Sequence, residues 1–153
     1  MEFVVCSDNH GNAKVLSQIL RDHPQAQAFI HCGDSEMSNE AMAPFVAVTG
    51  NNDYYYKFPE TLVTQVGDIR ILILHGHTMP YGSRVKSMVA LAKEKNCSVV
   101  CTGHTHVFMN EVIDGVRVIN PGSLFYNRDG SAPCYCSVEF EGDTITNVKR
   151  IEI

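Results

Sequence analysis

The stretch FVVCSDNHGNAKVLSQIL, residues 3–20, decides the fold. Phe3 to Ser7 is a near-continuous apolar run, the pattern of a parallel strand covered on both faces. Asn12 stands where it caps a helix, and Leu16, Ile19 and Leu20 fall on one stripe of that helix. Between strand and helix lies Asp8-Asn9-His10. On extended backbone, residues two apart point the same way, so a carboxylate and an imidazole can grip one cation there.

The unit repeats outward from this stretch. Ala28-Phe29-Ile30 reads as the next strand, Ser38 to Ala43 as a short helix stopped by Pro44, and Phe45 to Thr49 as a third strand. A β-α-β-α-β order predicts a parallel sheet with right-handed crossovers. Residues 51–60 form a polar and aromatic loop containing Tyr54-Tyr55-Tyr56, which we read as partly buried; base stacking and an oligomer contact are the alternatives. Thr61–Val66 and Ile69–Leu74 flank Gly67-Asp68, a hairpin signal. Ser83 then caps a helix with Val85, Met88, Val89 and Ala92 at core spacing, ending near Asn96. Ser98 to Cys101 is a strand, Asp114-Gly115 turns a hairpin between 108–113 and 116–119, and Cys134, Cys136, Val138 and Phe140 alternate with polar positions. A last strand follows Gly142-Asp143. The chain is parallel early and antiparallel late, within one α/β domain, residues 1–153.

Composition bounds the function. At 153 residues, 44% hydrophobic and 19% charged, the chain is an ordinary globular length that buries a real core. Its net charge of −5 argues against an extended nucleic-acid surface, which needs a basic stripe. No apolar run approaches the roughly 20 residues that span a bilayer, and the start lacks a basic n-region, so it does not read as a signal peptide. Cys6, Cys32, Cys97 and Cys101 sit in apolar strand-like runs, and Cys134 and Cys136 share one strand face, a poor disulfide geometry. Six reduced thiols point to the cytoplasm.

The side chains able to bind metal arrive in five short pieces, mostly just after strand-like runs: Asp8-Asn9-His10, Gly33-Asp34, Gly50-Asn51-Asn52-Asp53, His75-Gly76-His77 and Gly103-His104-Thr105-His106. Open α/β sheets gather ligands at the carboxyl ends of their strands. Two carboxylates, one amide and four imidazoles exceed what one ion needs, which suggests two metals sharing a bridge. The oxygen and nitrogen set, without thiolate, suits Mn, Ni, Fe, Zn or Co better than Mg or Ca, and ligand type does not choose among them. His23, at a helix end, suits the helix dipole, and His31 closes a strand and is expected to make an ordinary hydrogen bond.

The ordered set D-x-H, G-D, G-N-x-D, H-G-H and G-H-T-H, with Asn120-Pro121-Gly122-Ser123 after it, resembles the calcineurin-like metallophosphoesterases. More narrowly, it resembles their small bacterial and archaeal phosphodiesterase branch, related to the retromer subunit Vps29. The resemblance implies a four-layer α/β/β/α sandwich. It implies that Asp8, His10, Asp34 and His106 hold one divalent ion and that Asp34, Asn51, His75 and His104 hold a second, with Asp34 as the bridge. Hydrolysis of a small phosphodiester by a bridging hydroxide would follow, without a protein nucleophile. His75 is preferred to His77 because it directly ends the run Ile71–Leu74.

One position departs from the wider family, where a histidine often follows the metal-binding asparagine and assists as an acid. Here that position is Asn52, so His77 is the nearest substitute, and activated or diester substrates are expected. Asp53 is expected to orient a ligand or a water, and Arg128, more than Arg84, to meet substrate phosphate. The rival readings are a phosphomonoesterase on the same site and a Vps29-like protein-binding scaffold; an amidohydrolase barrel fails on length, since such barrels run to about 250 residues. Whether the chain forms a homo-oligomer stays open.

Overall fold

A computed structural model describes residues 1–153. Two five-stranded sheets lie face to face. The first runs β10 (Thr144–Glu152), β9 (Cys134–Glu141), β1 (Glu2–Cys6), β2 (Ala28–His31) and β3 (Val46–Ala47). The second runs β4 (Thr61–Val66), β5 (Ile69–Leu74), β6 (Val99–Cys101), β8 (Val116–Asn120) and β7 (Met109–Ile113). Strands β1, β2 and β3 are parallel, as are β5, β6 and β8. Antiparallel partners flank each parallel core: β9 and β10 on one side of the first sheet, β4 and β7 at the two edges of the second.

The pleat explains the layering. Successive residues of a strand point to opposite faces, so Phe3 and Val5 of β1 enter a core shared with Ile71 and Ile73 of β5, Cys101 of β6 and Val138 of β9. Val4 and Cys6 face the other way, against Leu16 and Ile19 of α1 (Ala13–Asp22) and Met42 of α2 (Asn39–Met42). On the second sheet Leu72, Leu74 and Val100 meet Met88, Val89 and Ala92 of α3 (Arg84–Glu94). Three apolar layers therefore separate helix, sheet, sheet and helix. This is the expected α/β/β/α sandwich.

Local chemistry sets most element ends. Asn12 accepts the Val15 N–H at 3.4 Å and Ser38 accepts that of Ala41 at 3.2 Å, as caps should. Ser83 differs from expectation. It occupies the cap position of α3, but its hydroxyl lies 3.3 Å from that of Ser87 and makes no cap bond, because a 3₁₀ turn at Tyr81–Ser83 leads into the helix. The third strand is only two residues long, not five, since parallel pairing with β2 ends at Ala47. Asp114 (φ 53°) and Gly115 (φ 83°) are both left-handed, the form a two-residue hairpin turn between β7 and β8 favours. His23 is held by more than the helix dipole: its ring bonds Glu2 at 3.0 Å and the Tyr135 hydroxyl at 2.8 Å.

All six cysteines are buried free thiols. No helix is long and apolar enough to cross a membrane. The tyrosine run reverses its expectation of partial burial, with Tyr54 and Tyr55 76% and 91% exposed. Its backbone turns and bends outside either sheet and offers the rings no core to join.

Candidate metal centre

The loops that leave β1, β2, β3, β5 and β6 meet at one end of the sandwich. They are stitched by backbone bonds: the Asp8 N–H donates to Gly33 O (3.0 Å), that of His10 to Asp34 O (3.1 Å) and that of Gly103 to His75 O (3.1 Å). Two glycines let the loops approach. A Cβ on Gly50 would meet the Asp34 carboxylate and, at 2.6 Å, its backbone nitrogen; one on Gly103 would meet the Ser7 hydroxyl and, at 2.8 Å, Asp8 Oδ2.

Asp8 (φ 58°), His10 (46°), Asp34 (59°), His104 (70°) and His106 (57°) all adopt left-handed backbone. For non-glycine residues this conformation is uncommon and costs about 1–3 kcal/mol each. The D-x-H side chains thus converge through left-handed turns rather than along extended backbone as expected, and the H-T-H side chains do the same. Such strain concentrated at one spot marks a functional site.

The structure brings all seven candidate ligands together. Ligand atoms of Asp8, His10 and His106 lie within 4.8 Å of one another, as do those of Asp8, Asp34 and His75. Asn51 Oδ1 is 3.0 Å from His75 Nε2 and 3.1 Å from His104 Nδ1. His75 Nε2 is also 3.4 Å from Asp34 Oδ2, and His106 Nε2 is 3.2 Å from Asp8 Oδ1. Asp8 is the carboxylate common to both close groups, and Asp34 stands beside His75 in the second. Asn52 holds the Asp34 carboxylate, its backbone N–H donating to Oδ1 and its amide to Oδ2, each at 2.9 Å.

Protonation tests whether these donors suit a cation. His75 Nδ1 bonds the Cys32 carbonyl at 2.7 Å and must carry a proton there, since a carbonyl can only accept. Nε2 of the neutral ring is then a bare lone pair, aimed at the lone pairs of Asn51 and Asp34. A cation, a second proton on His75 or a turned Asn51 amide reconciles His75 with Asn51, and a cation also suits the Asp34 carboxylate beside them. Accordingly, although burial lowers the His75 pKa, the hydrogen bond to Asp34 and the charges of Asp8 and Asp34 raise it overall. Burial likewise pushes the Asp34 carboxyl up, but His75 and the Asn52 donors outweigh it and hold it well below the usual range. His104 is lowered to about 4 by burial, then by the charges of His75 and Arg84, and is thus neutral and free to donate a lone pair. The residues fit a metal.

Their supports are also visible. Asp53 accepts the backbone N–H groups of Gly50 (2.7 Å), Asp34 (2.9 Å) and Glu36 (2.8 Å), so its carboxylate clamps the Asp34 loop. Ser123, in the Pro-Gly-Ser loop, donates to Asp8 O at 3.1 Å, and Asn120 ties Gly103 O to Thr105 at 3.0 Å each. His31 meets its expectation with bonds to Asn9 Oδ1 (2.8 Å) and the Gly33 N–H (3.1 Å). Glu36 was not singled out from the sequence, yet it lies 2.6 Å from His10 Nδ1 and leaves Nε2 to face the cleft. Its signal was the D-x-E spacing after Asp34.

A cleft of about 230 Å³ opens over the cluster, lined by His10, Asp34, Asn51, Asn52, His104, His106, Phe125, Tyr126 and Arg128. Arg128 is thus at the cleft, with its N–H on His106 O at 3.1 Å. Phe125 and Tyr126 also went unread, although an aromatic pair between a Pro-Gly-Ser loop and an arginine was there to see. His77 stands apart from the lining. Its ring is 5.4 Å from that of His75, its Nδ1 is buried without a partner, and burial followed by the His75 charge lowers its pKa. Arg84 lies over the Tyr81 ring, 5.8 Å from its centroid.

Residues 1–143 match the model of the calcineurin-like phosphoesterase superfamily domain. A probable metallophosphoesterase of Bacillus subtilis (strain 168), YsnB, is 33% identical over 149 residues, covering 95% of this chain and 88% of the relative. Among solved structures, a predicted phosphoesterase from Streptococcus pneumoniae TIGR4 superposes with a TM-score of 0.91 at 26% identity, over 99% of this chain and 88% of the other. A novel archaeal phosphodiesterase superposes with a TM-score of 0.76 at 25% identity, over the full length of both.

Proposed function

The chain belongs to the calcineurin-like phosphoesterase superfamily, and from that premise we propose that it is a phosphodiesterase working with two divalent ions, manganese first. One observation carries the reading: ligand atoms of Asp8, His10 and His106, and of Asp8, Asp34 and His75, gather within 4.8 Å of one another at one end of the sandwich, with Asn51 3.0 Å from His75 Nε2. Asp8, His10, Asp34 and His106 would hold one ion, and Asp34, Asn51, His75 and His104 the other. When bound, such a pair activates water and polarises a phosphoryl oxygen.

The protein's own groups then set the substrate. Arg128, in the cleft lining, neutralises the remaining anionic oxygen. Asn52 positions Asp34 through two hydrogen bonds and has no proton to give a departing alkoxide. His77 lies outside the cleft lining, so it would reach the leaving group only through a water or a shift of its loop. Diesters with good leaving groups are therefore favoured over alkyl monoesters. A scaffold that binds only proteins would have no use for five strained ligand residues. The buried free thiols suit the cytoplasm.

The test is hydrolysis of bis(p-nitrophenyl) phosphate and p-nitrophenyl phosphate by metal-stripped protein, with and without Mn²⁺. Diester turnover that appears only on metal addition and exceeds monoester turnover is expected. Faster monoester turnover would replace the diesterase reading with a monoesterase. Folded protein inert with every divalent ion would end the enzymatic reading.

A further inference from the structure

We propose that Phe125 and Tyr126 form a binding subsite for a planar aromatic ester group on the substrate. The inference rests on the phosphodiesterase reading and names its substrate class: phosphodiesters carrying an aryl group or a nucleobase.

Phe125 is 60% exposed and Tyr126 49% exposed, although both line the cleft. Large aromatic side chains left uncovered beside a reactive site are a binding surface rather than core. Their backbone is also fixed in place. Ser123 Oγ accepts the N–H of Phe125 at 2.9 Å and that of Tyr126 at 3.2 Å, while donating to Asp8 O. The loop that displays the rings is thereby tied to the first ligand loop, and Arg128, three residues on from Phe125, is tied to His106. Rings presented on such a frame bind with little further loss of freedom.

Their position selects what they bind. The Phe125 ring centre is 5.3 Å from that of His10, edge-on, and the Tyr126 centre is 5.1 Å from that of His106. His10 and His106 are candidate ligands of the same ion. A phosphorus atom seated there therefore has one ester arm beside the aromatic pair, with Arg128 at the same cleft for the anionic oxygen. An alkyl arm gains little from these rings. The two rings stand at 76° to each other, so a planar arm stacks on the face of one and meets the other edge-on, and such stacking is tolerant of which base or aryl group supplies the face.

The experiment compares three esters with one leaving group: ethyl, phenyl and thymidine 5′- p-nitrophenyl phosphate. Wild-type protein with Mn²⁺ should show a higher kcat/KM for the phenyl or the thymidine ester than for the ethyl ester, and the favoured one identifies the source of the ring. In F125L/Y126L that preference should shrink about tenfold. A preference unchanged in the variant, or absent in the wild type, overturns the proposal. Binding of 2-aminopurine riboside 5′-phosphate, whose fluorescence falls on stacking, supplies a second readout. Quenching by wild type and not by F125L/Y126L upholds the subsite even if no ester is hydrolysed, in which case the catalytic reading fails alone. No quenching and no turnover overturns both.

Discussion

Acidifying the metal-free protein from pH 7 to pH 4 should cost it about 3 kcal/mol at a single side chain, His31. This ring is wholly buried and its pKa is lowered from 6.5 to about 4, by burial first, with Asp8 and Asp34 pulling the other way. Its hydrogen bonds need a neutral ring: Nδ1 accepts the Gly33 N–H, and Nε2 donates to Asn9 Oδ1. Because the folded value lies below the unfolded one, the unfolded chain takes up the proton first. The stabilisation is thus complete above pH 6.5, falls as the pH drops toward 4, and levels off below. At about 1.4 kcal/mol per pH unit of separation, the whole step is about 3.5 kcal/mol, of which about 3 is lost by pH 4. The assay is urea denaturation between pH 7.5 and 4, with wild type and His31→Gln measured in parallel. The buried carboxylate Asp34, whose folded pKa is depressed, loses its contribution at more acid pH, outside this window. His104 titrates in the same window but is present in both proteins, so it drops out of the comparison. The variant should start less stable and lose less across the window. A stability difference between the two proteins that stays constant with pH would refute the assignment.

Gly50→Ala should destabilise the fold by about 1–3 kcal/mol, because the new methyl collides with the Asp34 carboxylate and backbone. The same variant should bind Mn²⁺ at least about tenfold more weakly by calorimetry, and wild-type affinity would show that this contact does not position Asp34. The thiols of Cys6, Cys32, Cys101 and Cys136 are fully buried and pushed up by that burial, so a thiol-specific disulfide reagent should titrate all six cysteines only in denaturant. Prompt reaction of all six in native protein would contradict the packing described.

The layers were legible because every buried strand carries its address in its apolar residues. Phe3-Val4-Val5-Cys6 reads as covered on both faces, and the structure divides these four between two cores. The seven candidate ligands were legible because imidazoles and carboxylates after apolar runs have no packing explanation. Several features were not. Left-handed backbone at Asp8 and His106 is only weakly signalled by residue type, since Asp and His tolerate it better than most residues but are held in it here by the surrounding bonds. Asp53 looks like any loop carboxylate until three N–H groups from separate positions are seen to converge on it. The exposure of the tyrosine run depends on where its loop departs from the sheets, which local sequence does not encode.

The candidate ligands are divided between the two sheets: Asp8, His10, Asp34 and Asn51 follow strands of the first, and His75, His104 and His106 follow strands of the second. The spacing of these two groups is thus set by the thickness of the apolar filling between the sheets, where Ile30, Ile73 and Cys101 lie near the cleft end of their strands and Cys32 just beyond β2. That filling acts as the feeler gauge of the centre. A methylene added or removed there, with no polar atom touched, opens or closes the jaws in which the cations would sit. The most apolar part of the protein is in this sense an adjusting screw for its most polar one.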